Sequence, residues 1–292
     1  EESLTKESNK NFIIAGDEVA YTVTLKNTTG AAVTSTKIID TPDLTKFTYK
    51  AGSGKVNGVV QNPTIAGNVI TFTGPATVAD GATVSVVYTL VANATTAGGE
   101  YTNKVKATLD GITTSEREEK VVVAELSKTA SPTTIFEGNT VSYTVKAKNS
   151  SQSAIDSLKL VDTPNLTYFT YKAGSAKING TPIADPVIAA GKLTFSAGTN
   201  VAAGATVTLT YEMISKPNVP SGNYPNKVYG EITVGGQTDR TGEKTSTVKV
   251  AVTDLTKQSD KDYIIAGDEV TYTVKVQNTT GSTVTNTKIV DT

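Results

Sequence analysis

Each complete repeat of this chain places a lysine, an aspartate and an asparagine where a hydrophobic core is expected. Alternate residues of a β-strand face the same side. Lys6 lies two residues after a leucine, Asp40 lies two residues after an isoleucine, and Asn103 lies between a tyrosine and a valine in the same alternation. The pattern therefore predicts that three polar side chains meet in the interior.

Buried groups of these types have two chemical outcomes. An isolated buried charge is strongly disfavoured, so the groups either form hydrogen-bonded ion pairs or react. Burial lowers the pKa of an amine and raises that of a carboxyl group. A neutral Lys6 is a nucleophile, the amide carbon of Asn103 is an electrophile, and a protonated Asp40 can move protons while ammonia leaves. The product would be an intramolecular isopeptide bond, formed once and without a cofactor.

The same set recurs along the chain. The predicted crosslinking residues are Lys6, Asn103, Lys128, Asn226 and Lys257, and the predicted proton-shuttling residues are Asp40, Asp162 and Asp291. Two alternatives stay open at this point. The groups can form an unreacted buried polar cluster, or the phase of the strands can differ from the one assumed.

The elements that must position these residues are short strands. Large apolar residues recur at every second position, for example over residues 19–25 and 84–90, with mostly Thr, Ser or Ala between them, which is typical of half-buried strands. Asn-Gly and Asp-Gly turn signals separate the runs, and no convincing helical stripe occurs. Seven to nine strands in about 120 residues predict an all-β immunoglobulin-like antiparallel β-sandwich.

The chain is a tandem array of such domains. Residues 4–41 match residues 255–292 at 26 of 38 positions, and residues 126–163 at 15, which indicates a two-domain superperiod. We predict sandwich domains at 1–124 and 125–253, arranged end to end, and the opening strands of a third at 254–292. Residues 121–126 and 250–255 join them without a Gly-, Ser- or Pro-rich linker, so the array is expected to be a stiff rod.

The composition argues against several functional classes. The 292 residues include no His, Cys or Trp, so common catalytic bases, thiols and metal ligands are missing. No cofactor or metal is predicted, and the chain is predicted not to be an enzyme. The net charge of −1 favours neither nucleic-acid binding nor contact with an acidic membrane. No apolar run approaches the roughly 20 residues that span a bilayer.

The motifs resemble a known family. L-x-K, G-[DN]-x-V-x-Y-T-V, Asn, D-T-P and Y-x-N-K-V follow one another in both complete repeats. They lie at Leu4–Lys6, Gly16–Val23, Asn27, Asp40–Pro42 and Tyr101–Val105, and again at Leu126–Lys128, Gly138–Val145, Asn149, Asp162–Pro164 and Tyr224–Val228. This order resembles the Ig-like repeat domain of unknown function of bacterial and archaeal surface proteins. Similar sandwiches of pili and adhesins carry Lys–Asn bonds promoted by an acidic residue, so the resemblance implies such bonds here.

We therefore predict a structural segment of a secreted cell-surface stalk or extracellular filament, stiffened by autocatalytic isopeptide bonds. The alternative is a surface adhesin that binds a host or matrix ligand. The expected location is extracellular or at the cell surface of a bacterium, with a Gram-positive one favoured, or of an archaeon. Expected partners are neighbouring copies or further repeats of the same chain. Repeat 3 is expected to be completed by its own continuing chain or by another copy.

Overall fold

The fold is built from strands alone. The computed structural model describes residues 3–251, 254–278, 283 and 287–292, and its regular elements in these residues are all β-strands. The prediction of tandem immunoglobulin-like antiparallel β-sandwiches is confirmed. Within the same residues, no helix has the length and hydrophobicity needed to cross a membrane.

Repeat 1 is a sandwich of two separately hydrogen-bonded sheets. Its strands are β1 (Leu4–Ser8), β2 (Phe12–Ile14), β3 (Glu18–Lys26), β4 (Thr36–Thr41), β5 (Phe47–Tyr49), β6 (Lys55–Val56), β7 (Val59–Val60), β8 (Thr64–Ala66), β9 (Val69–Thr73), β10 (Thr83–Ala92), β11 (Gly99–Leu109), β12 (Ile112–Thr113) and the first half of β13 (Arg117–Ser131). One sheet has the order β1-β3-β10-β6-β7, and the facing strands run β13-β11-β4-β9-β8. Short hairpins such as β6–β7 add to the seven to nine strands expected.

Repeat 2 has the same arrangement. Its strands are the second half of β13, β14 (Thr134–Phe136), β15 (Thr140–Lys148), β16 (Ile155–Thr163), β17 (Phe169–Tyr171), β18 (Lys177–Ile178), β19 (Thr181–Pro182), β20 (Val187–Ala189), β21 (Lys192–Val201), β22 (Thr206–Ser215), β23 (Gly222–Val234), β24 (Gln237–Arg240) and β25 (Lys244–Ala251). One sheet has the order β13-β15-β22-β18-β19, and the other has β25-β23-β16-β21-β20.

Each complete repeat encloses its own hydrophobic core. Alternate residues of β3 and β10, such as Tyr21, Val23 and Val86, are almost fully buried against the facing sheet. The corresponding residues of β15 and β22 fill the second core. The period-two alternation thus fixes which side chains enter the interior, including the polar ones described below.

The junction between the two repeats is one continuous strand. β13 pairs with β11 through residues 117–123 and with β15 through residues 125–131. It runs unbroken through the boundary predicted between residues 124 and 125. That boundary and the others stay predictions. Residues 252 and 253, in the second predicted junction, lie outside the described residues.

Repeat 3 is described as a hairpin of β26 (Asp254–Ser259) and β27 (Tyr272–Gln277). Lys257 lies opposite Val274 in this hairpin, as Lys6 lies opposite Val23 in repeat 1. The described residues of repeat 3 include no second sheet, so Leu255 is 61% exposed, whereas its counterpart Leu4 is buried.

Candidate functional site

The candidate site of repeat 1 is formed by one polar side chain from each of four strands. Lys6 projects from β1 and Asp40 from β4, which pairs with β11 so that Asp40 lies opposite Val105. Asn103 lies on β11, two residues before that valine. The side chains of Lys6 and Asp40 are fully buried, and Asn103 is 3% exposed. The two sheets therefore bring all three predicted residues into the interior.

The lysine amine contacts both a carboxylate and two aromatic rings. Lys6 Nζ donates a hydrogen bond to Asp40 Oδ1. The same nitrogen lies 4.8 Å from the ring centroid of Tyr21 and 5.5 Å from that of Tyr88. These two rings stack with their centroids 5.6 Å apart. The amine is thus enclosed by apolar ring surface and one acid, with no solvent contact.

The fourth member, Tyr88 on β10, was not among the residues predicted from the sequence. Its hydroxyl accepts hydrogen bonds from Lys6 Nζ at 2.9 Å and from Asn103 Nδ2 at 2.9 Å. It also donates a hydrogen bond to Asp40 Oδ2. One donor and two acceptor positions are the full capacity of a phenol group, so Tyr88 connects all three predicted residues.

A sequence signal for Tyr88 did exist. It shares the inward phase of Val84, Val86 and Leu90, and core packing of its ring is enough to explain that phase. A tyrosine whose ring is fully buried must still find a partner for its hydroxyl. The recurrence of this tyrosine as Tyr211 of repeat 2, beside other buried polar residues, was the clue.

Repeat 2 brings the same four residue types together, and its lysine and asparagine contact the tyrosine hydroxyl as in repeat 1. Lys128 Nζ donates to Asp162 Oδ2 and, at 2.7 Å, to the hydroxyl of Tyr211. Asn226 Nδ2 donates to that hydroxyl at 3.1 Å, and Tyr143 stacks on Tyr211 with centroids 5.4 Å apart. The side chains of Lys128 and Asp162 are fully buried. Two repeats that differ widely in sequence therefore bury the same four residue types together, although no hydrogen bond from the tyrosine to the aspartate is seen in repeat 2 as it is in repeat 1.

Burial pushes the charged groups of both clusters toward their neutral forms. It lowers the pKa of the Lys6 amine, although the nearby charge of Asp40 acts in the opposite direction. It raises the pKa of the Asp40 carboxyl, against the effect of Lys6. Lys128 and Asp162 shift in the same directions for the same reason. Burial also holds the pKa of the Tyr88 hydroxyl well above its ordinary value, so this group stays protonated. The arrangement favours a free amine beside a carboxylic acid.

Buried oxygens of both clusters lack a hydrogen-bond partner among the described residues. They are the amide oxygen Oδ1 of Asn103 in repeat 1, and the amide oxygen Oδ1 of Asn226 and the carboxyl oxygen Oδ1 of Asp162 in repeat 2. An unsatisfied buried oxygen is costly and requires an explanation. A carbonyl that must receive a proton or hydrogen bond during a reaction provides one.

Two tyrosines that precede the asparagines have a separate, structural role. The hydroxyl of Tyr101 donates to the backbone oxygen of Ala97 at 2.9 Å. The hydroxyl of Tyr224 donates to the oxygen of Pro220 at 2.7 Å. This backbone contact four residues upstream is that of a tyrosine corner in an immunoglobulin-like sandwich. It fixes the start of the strand that carries the asparagine.

The incomplete third set is exposed. Lys257 Nζ lies 2.6 Å from Asp291 Oδ1, and the two side chains are 42% and 58% exposed. The same nitrogen lies 4.4 Å from the ring centroid of Tyr272. The described part of repeat 3 has no counterpart of Asn103. The structure thus pairs Lys257 with Asp291 but does not place them in a dry interior.

Comparisons with known proteins give only distant structural likenesses. No family model matches the sequence, and no curated protein matches it. The C-terminal domain of the Streptococcus agalactiae AgI/II polypeptide BspA is 13% identical, with a TM-score of 0.40, covering 83% of this chain and 99% of that one. The C-terminal domain of the Streptococcus pyogenes antigen I/II-family protein AspA is 11% identical, with a TM-score of 0.38, covering 84% and 98%. The collagen adhesin CNA from S. aureus is 9% identical, with a TM-score of 0.31, covering 94% and 95%. At these values the likeness carries no functional inference.

Proposed function

We propose that this chain is a structural repeat segment of a secreted cell-surface stalk or extracellular filament, in which each complete repeat locks itself with a Lys–Asn isopeptide bond. The observation that carries the proposal is the duplicated buried cluster of lysine, aspartate, tyrosine and asparagine. In both copies burial favours the neutral amine and the neutral acid. In both copies the asparagine carbonyl lacks a partner among the described residues.

The reaction balances without a cofactor or an oxidant. The lone pair of Lys6 Nζ attacks Cγ of Asn103, and the carboxylic acid of Asp40 protonates the amide oxygen. The resulting carboxylate takes a proton from the attacking nitrogen and passes it to the departing Nδ2. The C–N bond of the side-chain amide breaks and one ammonia leaves, and the oxygen returns its proton to Asp40, which ends protonated as it began.

The fold supplies the proximity that the reaction needs. Lys6 Nζ and Asn103 Nδ2 each lie 2.9 Å from the hydroxyl oxygen of Tyr88, so the two nitrogens are separated by no more than twice that distance. Holding reactants together in this way removes about 7–11 kcal/mol of a barrier in favourable cases. Tyr88 acts as the positioning residue, because its one hydroxyl contacts the nucleophile, the acid and the amide.

The bond would stabilise the repeat thermodynamically. A Lys6–Asn103 bond closes a loop of 97 residues. By analogy with the loop entropy of disulfides, such a closure contributes roughly 4–5 kcal/mol. The effect is of the order of the whole stability of a typical domain, about 5–15 kcal/mol.

The bond would also change how a pulling force passes through the repeat. Force entering at β1 would cross from Lys6 to Asn103 and leave through residues 104–124, which lie outside the closed loop. These residues form a hairpin in which β13 pairs with β11 from Gly99–Val123 to Val105–Arg117. Asn103 and residue 124 are pulled in opposite directions along these antiparallel strands. The ladder hydrogen bonds are perpendicular to the strands and are therefore loaded together in shear, which resists force better than peeling them one at a time.

This chemistry suits a load-bearing role rather than turnover. Each cluster reacts once and regenerates no free site, so the chain is proposed not to act as an enzyme. Repetition of the same bonded sandwich then gives a stalk or filament whose length scales with the number of repeats. The partners proposed are neighbouring copies or further repeats of the same chain.

Peptide mapping of the purified chain tests the proposal. After digestion under denaturing conditions, tandem mass spectrometry should find a branched peptide that joins Lys6 to Asn103, and another that joins Lys128 to Asn226. Linear peptides containing free Lys6 and intact Asn103 would contradict it. A branched peptide joining Lys6 to Asp40, formed with loss of water, would assign the acyl group to the aspartate and overturn the proposed chemistry.

A further inference from the structure

At the junction between repeats 1 and 2, side chains of repeat 1 pack into the core of repeat 2. Strand β2 pairs in parallel with residues 122–124 of β13. Ile13 belongs to the core of repeat 1, whereas Phe12 and Ile14, on the other face of the same strand, belong to the core of repeat 2. Phe12 is 6% exposed and Ile14 is 3% exposed. Because burial of such side chains is worth about 1.5–3 kcal/mol each, the two repeats are held together by shared core packing.

Two hydrogen bonds cross the same junction. The backbone nitrogen of Gly242 donates to Asp17 Oδ2 at 2.8 Å. The backbone nitrogen of Asn11 donates to Asp239 Oδ2 at 2.8 Å. Asp17 Oδ2 also accepts from the backbone nitrogen of Ile14 at 2.9 Å, which fixes the carboxylate. We call the end of repeat 1 that faces repeat 2 its trailing end, and the facing end of repeat 2 its leading end. The two hydrogen bonds join these two ends.

Two glycines lie in close contact with side chains of the other repeat at the junction. A Cβ atom on Gly98 would lie 2.5 Å from Ser150 Oγ and 2.6 Å from Glu125 Cγ. A Cβ atom on Gly242 would lie 2.0 Å from Asp17 Oδ1, the carboxylate that accepts the hydrogen bond. A larger residue at Gly98 would therefore force Ser150 and Glu125 to move, and one at Gly242 would displace the carboxylate of Asp17.

The next junction along the chain does not repeat these residues. Matching the strands of repeats 1 and 2 places Thr134 at the position of Phe12, Asn139 at that of Asp17, and Ser221 at that of Gly98. Phe136 stands at the position of Ile14. The leading end of repeat 1 carries Ser115 where repeat 2 has Gly242, since Arg117 and Lys244 occupy the same place in the ladder.

The connecting segment also differs in length. Val123 and Val250 are equivalent, because each lies opposite the central isoleucine of the parallel pair. Lys128 follows Val123 by five positions, and Lys257 follows Val250 by seven. The connection after repeat 2 is therefore two residues longer than the connection after repeat 1.

We call repeats that resemble repeat 1 first-type and repeats that resemble repeat 2 second-type. We propose that the trailing end of a first-type repeat is a docking surface specific for the leading end of a second-type repeat. Repeats 1 and 2 then form one rigid pair. The docking surface of the trailing end consists of Phe12, Ile14, Asp17 and Gly98. The leading end contacts it through Ser150, Asp239 and Gly242. The junction between repeats 2 and 3 is a different and looser joint, so the array bends between pairs rather than within them. Repeat 3 carries Tyr263, Ile265 and Asp268 at the positions of Phe12, Ile14 and Asp17, and therefore has the trailing end of a first-type repeat.

Exchange variants of the full chain test this specificity. Phe12→Thr, Asp17→Asn, Gly98→Ser and Gly242→Ser each install the residue found at the equivalent position of the other repeat type. The matched controls are the reverse exchanges at ends that do not face this junction: Thr134→Phe, Asn139→Asp, Ser221→Gly and Ser115→Gly. The chain has no native cysteine, so exposed positions can be replaced for spin labelling. Labels at Lys106→Cys and Lys159→Cys report on the junction between repeats 1 and 2.

The expected distance distribution across this junction is narrow in the parent chain and in all four controls. It should broaden in each of the four exchange variants. Hydrogen exchange of the Gly242 amide should be at least about tenfold faster in Asp17→Asn, because the charged acceptor is lost. Core amides of both repeats should keep their protection in Gly242→Ser, which separates loss of docking from loss of folding. An unchanged narrow distribution in the exchange variants, or a broad one in the parent chain, would overturn the proposal.

Discussion

Replacing Tyr88 with phenylalanine removes one hydroxyl and should strongly slow bond formation in repeat 1. The ring keeps its stacking partners Tyr21 and Phe72, whose centroids lie 5.6 and 5.5 Å away. The substitution therefore leaves the packing in place. What it removes is the oxygen that contacts Lys6, Asp40 and Asn103 together.

The magnitude follows from the groups that lose a partner. Lys6 retains Asp40, but Asp40 Oδ2 and Asn103 Nδ2 each lose a hydrogen bond in a dry interior. Each buried group left without a hydrogen-bond partner costs about 1–3 kcal/mol. A repeat 1 without the isopeptide bond should therefore lose about 2–6 kcal/mol of unfolding free energy in Tyr88→Phe. This can be measured by urea unfolding in a Lys6→Met background, in which no bond can form. If the hydroxyl also orients the acid for proton transfer, the rate of bond formation should fall by about 10²–10⁴-fold.

The assay compares the rate of bond formation in repeat 1 with that in repeat 2 of the same chain, which serves as an internal control. The chain is synthesised in a cell-free system, chased for increasing times and quenched in acid, and the loss of ammonia from each repeat is followed by peptide mass. Tyr88→Phe should delay repeat 1 alone, and Tyr211→Phe should delay repeat 2 alone. Tyr101→Phe removes a hydroxyl that bonds the backbone of Ala97 and should delay neither. Equal rates for Tyr88→Phe and the parent chain would refute the positioning role of the tyrosine.

Three further outcomes are expected. Asp40→Ala should abolish the bond in repeat 1, leave that in repeat 2, and make repeat 1 more sensitive to protease; equal resistance would count against a stabilising role. In Lys6→Met, Asp40 titrates alone with a raised pKa, so the folded state holds a proton that the unfolded carboxyl, with an ordinary pKa of 3.8, releases. The unfolding free energy should therefore fall by about 1.4 kcal/mol per pH unit as the pH rises above about 4, whereas Lys6→Met/Asp40→Asn should show no such slope. When the chain is stretched from its ends, a bonded repeat 1 should release only residues 104–124, about 70 Å of chain, instead of about 400 Å for the whole repeat; releases of the larger size in the parent chain would contradict the bond.

Much of the fold could be predicted because it depends on local alternation. Period two specified the strands, their inward faces and the burial of Lys6, Asp40 and Asn103, since a strand with one buried face has its register fixed by that face. The same pattern predicted that the residues described by the structure would contain no helix. The roles assigned to these residues stay predictions that the experiments above test.

Tyr88 was missed because a buried aromatic residue is explained by packing alone. Its ring and its hydroxyl obey different rules: the ring needs apolar contact, and the hydroxyl needs a partner. Only the arrangement of four strands from two sheets shows that this partner is the whole cluster. A pattern read along one strand at a time does not contain that information.

The junction was predicted as short and stiff, but its construction was not. β2 is three residues long and pairs in parallel with β13, and so short a segment has no periodicity to read. Phe12, Ile13 and Ile14 are consecutive apolar residues, so nothing in the sequence indicates that Phe12 and Ile14 enter the core of the next repeat. The requirement for Gly98 likewise depends on Ser150 and Glu125, which are distant in sequence.

The most direct test of the account is the intact mass of the purified chain under denaturing conditions. The account predicts a mass lower than that of the sequence by two ammonia molecules, one for each complete repeat. It predicts a deficit of one in Lys6→Ala, and of none in Lys6→Ala/Lys128→Ala. An unmodified mass for the parent chain would show that the lysine, aspartate, tyrosine and asparagine form only a hydrogen-bonded network, and would contradict the central claim.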